Sequence, residues 1–296
     1  MIRHTHAPKN PSRVVILGGT GFIGRSLASE LEAQGIETLK LSSAELDLCA
    51  PTAAQTLAET VRPSDTLVVA SAVTPDKGRD VRAQMKNFAM GLALFEFLEK
   101  KPCDHVVYLS SDAVYDDAAS FVNESTPPSP GSFYGITHLG RERMLSDALK
   151  KSGASYLILR PSIIYGAEDT HNSYGPNRFF RSAAATSKIS LFGNGEEKRD
   201  HVYIRDVCRV IRECLLRKSH GLLNIATGRS ESFWDVAGKI RALFGDGVSI
   251  ETSPRANPVT HRHYDIAVCL RALPEFRYAS LDQGLAETFE KIRIQR

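Results

Sequence analysis

The sequence predicts an α/β fold, a doubly wound parallel sheet followed by a smaller C-terminal region. Three observations carry this. Short β-branched runs that are apolar along their whole length alternate with longer amphipathic stretches from Arg13 to Pro161; a glycine-rich loop joins the first run to the first amphipathic stretch; and the alternation breaks after Pro161 into loop-rich sequence. Strands apolar on both faces belong in a parallel sheet covered on both sides, with the amphipathic stretches as crossover helices.

Taken in order, RVVILGG reads as a first strand, FIGRSLASELEAQ as the first helix, IETLKLS as a second strand and Ala53 to Val61 as a helix. TLVVASA, HVVYLSS and SYLILRP give three more strands, separated by a helical pattern from Arg79 to Lys100 and a helix beginning near Phe133. Beyond the loop sequence GAEDTHNSYGPN come helices near Arg178 to Ser187 and Arg205 to Arg217, a strand in GLLNIAT, and amphipathic helices in SFWDVAGKIRALFG and SLDQGLAETFEKIR. The resulting division is a frayed tail at 1–11, a first unit at 12–165 and a mainly substrate-side region at 166–296, of which parts such as 200–228 return to the first unit.

Composition narrows the class. With 42% hydrophobic and 24% charged residues, the 296-residue chain is ordinary globular sequence. A net charge of +3 argues against nucleic acid or an anionic membrane as partner. Five scattered cysteines without a CxxC pair read as core filler in a reducing compartment. The start MIRHTHAPKNPS has no apolar segment of the signal-peptide kind, and no apolar run is long enough to span a bilayer, so the expected location is the cytoplasm. His4 and His6 belong to the expected tail, and no carboxylate–histidine spacing supports a metal site at His201, His261 or His263.

The first strand runs directly into GGTGFIG, with Gly18, Gly21 and Gly24 spaced as GxxGxxG around Phe22 and Ile23, and then into a helix. A loop without side chains lets the backbone approach a pyrophosphate, which the free N–H groups at the positive end of the helix receive. Between the first strand and first helix of a βαβ unit this is a dinucleotide-binding, Rossmann-type signal. At the end of the second strand stand Ser42 and Ser43, where a carboxylate would select NAD and an arginine NADP. Neither signal is there. NAD and NADP both stay open, with a lean to NADP because Lys40 or Arg25 lies near enough in sequence to serve a 2′-phosphate.

GGTGFIG resembles the extended short-chain dehydrogenase/reductase family, whose members include nucleotide-sugar epimerases, dehydratases and reductases. The resemblance continues through Asp47 and Leu48, ASA from Ala70, Asn87 with Gly91, YLSSDAVY ending at Tyr115, Glu124, SFYGITHLG, LRP ending at Pro161, GNGEEKRDHVYIRD, NIATG and SLDQGL. It implies that Asp47 and Leu48 border the adenine, that Ala70 to Ala72 pass under the cofactor, and that Asn87 and Pro161 help to hold it. It also implies a nucleotide-sugar substrate, gripped at the diphosphate by Arg199 with Asn177 touching the sugar or its phosphate, and a homodimer as the assembly.

The same resemblance makes Tyr134 the acid/base tyrosine, with Ser111 hydrogen-bonded to the reacting sugar oxygen. Asp112 would stand beside the substrate, but Ala113 replaces the glutamate that dehydratases of the family use next to it, so a 4,6-dehydratase is disfavoured. The family's lysine four residues after the tyrosine is His138 here. An imidazole can hydrogen-bond the nicotinamide ribose, but it is mostly neutral near pH 7 and brings less fixed charge to the phenol. The implied activity is an NAD(P)-dependent nucleotide-sugar 4-epimerase or keto-reductase with a shifted pH profile. The alternatives are a cofactor-binding sensor or scaffold that has lost catalysis, for which the replaced lysine is the argument, and a family reductase acting on a non-sugar carbonyl, favoured if Arg199 points out of the cleft.

Overall fold

The computed structural model describes residues 1–169, 172 and 174–294. Along the first unit run β1 (Val14–Leu17), α1 (Phe22–Glu32), β2 (Thr38–Leu41), α2 (Ala53–Thr60), β3 (Thr66–Val69), α3 (Val81–Lys100), β4 (His105–Leu109), β5 (Phe121–Val122), α4 (Phe133–Leu149), β6 (Ser155–Pro161) and β7 (Ile163–Tyr165). Then come α5 (Pro176–Thr186), β8 (Lys188–Phe192), β9 (Lys198–Tyr203), α6 (Ile204–Leu216), β10 (Gly221–Ile225), β11 (Ser230–Ser232), α7 (Phe233–Phe244), β12 (Ser249–Ser253), β13 (His263–Tyr264), α8 (Ala267–Ala272) and α9 (Leu281–Ile294). Of the loop read as GAEDTHNSYGPN, Thr170, His171 and Ser173 lie outside the described residues.

The central sheet is parallel throughout, in the order β10-β6-β4-β3-β1-β2. Alternation along β1 shows why it reads as wholly apolar: Val14 and Ile16 enter one core with α1 and α6, while Val15 and Leu17 enter the other with α2, α3 and α4. Both faces are thus covered, as a doubly wound sheet requires. Strand order reverses beside β1, whose neighbours are β2 on one side and β3 on the other. A crevice opens at that point beyond the carboxyl ends of the strands. The segment 200–228 supplies α6, packed on α1, and the edge strand β10. Smaller pairings, β7-β9-β11, β8-β12 and β5-β13, build the C-terminal region.

Two expectations are corrected. The segment read as a frayed tail is docked: Arg3 exchanges both backbone hydrogen bonds with His220, Lys9 N donates to Leu216 O, and the His4 ring bridges Ser219 Oγ and Ala272 O at 2.8 Å each. Its partners lie more than 200 residues downstream, out of reach of local pattern. Of the cysteines read as core filler, Cys49 is exposed, while the other four are buried, and all five are free.

Candidate functional site

Each wall of the crevice is made by the segment that succeeds a strand. After β1, Gly18 adopts φ +81°, the left-handed region open to glycine, and its N–H donates to Leu41 O of β2. Gly24 is required for another reason: a Cβ there would lie 2.2 Å from Gly18 O. Helix α1 can therefore start immediately against the loop. Its N-cap, Gly21, has no side chain to satisfy the first-turn amides, which are left for a ligand.

The loop after β3 is tethered from α3. Asn87 Oδ1 accepts from Val73 N at 2.8 Å and its Nδ2 donates to Val73 O at 3.0 Å. After β4, Ser111 caps a single 3₁₀ turn, Asp112–Val114, by accepting from Ala113 N at 3.1 Å. Helix α4 then starts at Ser132, whose hydroxyl accepts from Gly135 N at 3.1 Å. Gly135 packs so closely on the 3₁₀ turn that a Cβ would meet Ala113 O at 2.0 Å. That contact sets Tyr134 beside Ser111.

Together these segments enclose a cavity of about 850 Å³. Its wall includes Gly18, Gly21, Phe22, Ile23 and Gly24 of the glycine loop, then Ser42, Asp47 and Leu48 after β2, and Ala70 and Ala72 after β3. Ser111, Tyr134, His138, Pro161 and Asn177 line the same cavity. Three sequence-predicted residues are not among its lining. Asn87 acts at one remove, through Val73. Asp112 accepts from Tyr264 Oη at 2.8 Å, with Arg262 Nη1 3.7 Å away. The guanidinium of Arg199 is occupied by Glu197 and by the hydroxyl and carbonyl of Thr260. Asn177 lines the cavity but uses its amide internally, accepting from Gly166 N at 3.0 Å and donating to Asp169 Oδ2 at 2.7 Å.

Electrostatics around the tyrosine run against ionisation. Burial, then the nearby Asp112 carboxylate, pushes the Tyr134 phenol up to about 12, opposed by the Arg141 cation and a hydrogen bond with Ser111. His138 lies edge-on to Tyr134, ring centroids 4.5 Å apart, and its Nδ1 is 2.7 Å from Tyr108 Oη. Burial, helped by Arg141, pushes this imidazole down to about 3, so it is neutral at physiological pH.

Residues that sequence reasoning passed over complete the surroundings. Glu45 folds back on Ser42, accepting from its amide at 2.7 Å and from its hydroxyl. A carboxylate therefore stands close to the end of β2, three residues later than the pattern looks for it, bonded to Ser42 and outside the residues that line the cavity. Arg25 pairs with Glu168 at 2.8 Å and Lys40 with Glu32 at 3.0 Å, which engages both cations proposed for a 2′-phosphate. Glu142 takes Arg160 in a buried fork and accepts from Ser110 Oγ at 2.6 Å. Tyr108 and Arg141 lie beneath the tyrosine; spacing of three and seven residues from His138 and Tyr134 is the signal that put Arg141 on their helix face. Among the described residues no helix is long and apolar enough to cross a membrane.

Residues 14–226 match the model of the NAD dependent epimerase/dehydratase family. The chain is 26% identical over 263 residues to an ADP-L-glycero-D-manno-heptose-6-epimerase of Alkalilimnicola ehrlichii, covering 79% of this chain and 82% of the relative. Among solved structures it is similar to a UDP-glucose 4-epimerase from Thermotoga maritima with UDP-glucose, at a TM-score of 0.85 and 22% identity over 96% of this chain and 99% of that one. A GDP-L-fucose synthetase from Naegleria fowleri bound to NADP gives a TM-score of 0.86 at 16% identity, over 100% and 98% of the two chains. At those identities the two structures speak for the fold.

Proposed function

Since the chain belongs to the NAD dependent epimerase/dehydratase family, we propose that it is a nucleotide-sugar 4-epimerase or keto-reductase with Tyr134 as acid/base. The observation that carries this reading is that Tyr134 and Ser111 stand on the wall of the cavity that the glycine loop also lines. The cradle fits a dinucleotide: of the four loop residues between β1 and α1 that a pyrophosphate must approach, only Thr20 has a side chain, and the first amides of α1 have no side-chain cap. Gly18, Gly21 and the start of α1 would hold the pyrophosphate, and Ser42, Asp47 and Leu48 the adenosine. When bound, the nicotinamide supplies a hydride acceptor or donor.

Among the chain's own groups, the Ser111 hydroxyl steadies the reacting oxygen, and the Tyr134 oxygen takes or returns its proton. From a phenol at about 12, basicity near neutrality asks for about 7 kcal/mol of phenolate stabilisation. His138, held neutral, contributes a hydrogen bond and no charge. For the cofactor, the engagement of Arg25 and Lys40 by Glu168 and Glu32 supports NAD over NADP, against the lean taken from sequence, with Glu45 beside Ser42 as the nearest carboxylate.

The test is incubation with a panel of nucleotide sugars and NAD, then product analysis and nicotinamide absorbance. An epimerase converts its sugar with no net absorbance change; a reductase consumes reduced cofactor stoichiometrically. Tyr134→Phe should lower turnover at least ~100-fold with cofactor binding retained. Wild-type turnover in that variant, or cofactor binding without conversion of any sugar, defeats the reading, the latter in favour of a sensor. A second reading, a carbonyl substrate without a diphosphate, is favoured by one observation: the Arg199 fork is already filled by Glu197 and Thr260.

A further inference from the structure

Acid/base work by Tyr134, the reading on which this inference rests, needs positive charge beside the phenol. His138 does not bring it. Tyr108 Oη has one hydrogen-bond partner among the described residues, His138 Nδ1 at 2.7 Å. With the phenol as the donor, Nδ1 accepts and the ring proton sits on Nε2, which is buried without a partner among the described residues. In that tautomer the imidazole, which burial holds neutral, is a donor toward the cavity side.

One helical turn further along α4 lies Arg141, fully buried. Its Cζ sits 5.0 Å from the centroid of the Tyr108 ring, which in turn stacks on His138 with centroids 5.8 Å apart. Nη1 donates to Ser71 O on the cavity wall at 2.9 Å, while Nε and Nη2 have no partner among the described residues. The adjacent carboxylate, Glu142, is committed to Arg160. Room for the arginine stem is made by Gly91 of α3, where a Cβ would lie 2.9 Å from Arg141 Cγ. Burying a guanidinium with two nitrogens unpartnered among the described residues and no carboxylate fork is heavily penalised. Such an arrangement calls for a use.

We infer that Arg141 is the fixed cation of this site, a positioning residue that lowers the barrier to phenolate formation at Tyr134 from about two turns further along α4, while His138 keeps only the hydrogen-bonding part of a lysine's task. The groups facing the phenol are Asp112 after β4 and Asp76 after β3, both opposing ionisation, and Ser111 and Arg141 favouring it. Those facing Arg141 are Tyr108 of β4, Tyr156 of β6, His138 of its own helix, and Cys49 in the loop after β2. Of all these groups Arg141 is the one cation whose field favours the phenolate.

The experiment replaces Tyr134 by a difluorinated tyrosine, whose ring fluorines lower the phenol's titration into an accessible range and report it by fluorine NMR, in protein without substrate. Arg141→Met, which keeps an unbranched stem, should raise that titration by about one pH unit, and Arg141→Lys should restore most of it. In the unlabelled enzyme the alkaline-rising limb of kcat/KM should move up by the same amount, about a 10-fold loss at neutral pH. Should Arg141→Met fail to fold, Arg141→Gln carries the same comparison. A fluorine titration that does not move in a folded, neutral variant overturns the assignment. Because this readout needs no turnover, it stands apart from the reading of Tyr134 as catalyst, which the activity of Tyr134→Phe tests separately.

Discussion

The buried fork between Glu142 and Arg160 is the most demanding place to perturb this fold, because it braces two walls of the cavity at once. Glu142 lies on α4 and Arg160 near the end of β6; their side chains are 4% and 5% exposed. Two bonds join them, at 2.9 and 2.6 Å, and the carboxylate also accepts from Ser110 Oγ at 2.6 Å. Ser110 precedes Ser111, and Arg160 precedes Pro161, both on the cavity wall. Glu142→Gln removes the charge but keeps one acceptor, leaving a buried guanidinium uncompensated, for a loss of about 3 kcal/mol at the lower end of the range for broken buried pairs. In a chain of this size that lowers Tm by about 6 °C. Urea unfolding and a thermal melt measure it, and a nicotinamide titration should show weaker binding as the brace behind Ser110 and Arg160 loosens. Replacing both partners, Glu142→Leu with Arg160→Met, should recover most of the stability, since no charge is then stranded. A loss below about 1 kcal/mol in the single variant would show that the pair behaves as a solvated one, and the bracing argument would fall.

The geometry sets three further outcomes. Gly24→Ala places a Cβ 2.2 Å from Gly18 O; α1 must shift off the glycine loop, and nicotinamide-dinucleotide affinity should fall at least 10-fold by calorimetric titration while the remainder of the sheet stays folded. Glu45→Gln should narrow the preference for NAD over NADP by about 10-fold, as the ratio of dissociation constants, and the preference should fade with added salt because the carboxylate is exposed; an unchanged ratio would remove Glu45 from cofactor choice. Acid should destabilise the protein early: burial holds His105 down to about 4 and His138 and His201 down to about 3, against 6.5 unfolded. Between those values the unfolded chain binds more protons, so stability is full above pH 6.5 and is lost as pH falls, by up to ~1.4 kcal/mol per pH unit for each histidine. Urea midpoints at pH 7 and 5 measure the slope, and flat midpoints would contradict the burial of these rings.

Legibility in sequence tracked the range of the interaction. The six-stranded sheet was readable because its inner strands are largely apolar by themselves, and the glycine loop because its three glycines act within seven residues. The short pairings were not. Strand β12 has no buried residue along its length, and β5 and β13 are two residues each, so only the chain that pairs with them defines them. Arg199 matched a motif, yet its guanidinium goes to Thr260, 61 residues on, and to Glu197, which local spacing does not reveal. Glu45 was missed because the pattern looks for a carboxylate at the strand end, whereas the turn after β2 brings one back from three residues later.

The same distinction governs what an obvious repair of His138 would do. Read from sequence, His138→Lys restores the missing charge and should move the pH profile. In the structure the position is buried and its neighbour one turn on, Arg141, already carries a charge that meets no carboxylate among the described residues. A second buried cation beside it has no carboxylate to meet, and Tyr108 Oη would lose the acceptor that His138 Nδ1 provides. His138→Lys alone should therefore destabilise the fold, by about 3 kcal/mol in urea unfolding, the cost of an uncompensated buried charge. Paired with Arg141→Met it should recover most of that loss, because one cation then replaces another on the same face of α4. If the single variant proved both more stable and more active than the parent, the division of the lysine's work between His138 and Arg141 would be wrong.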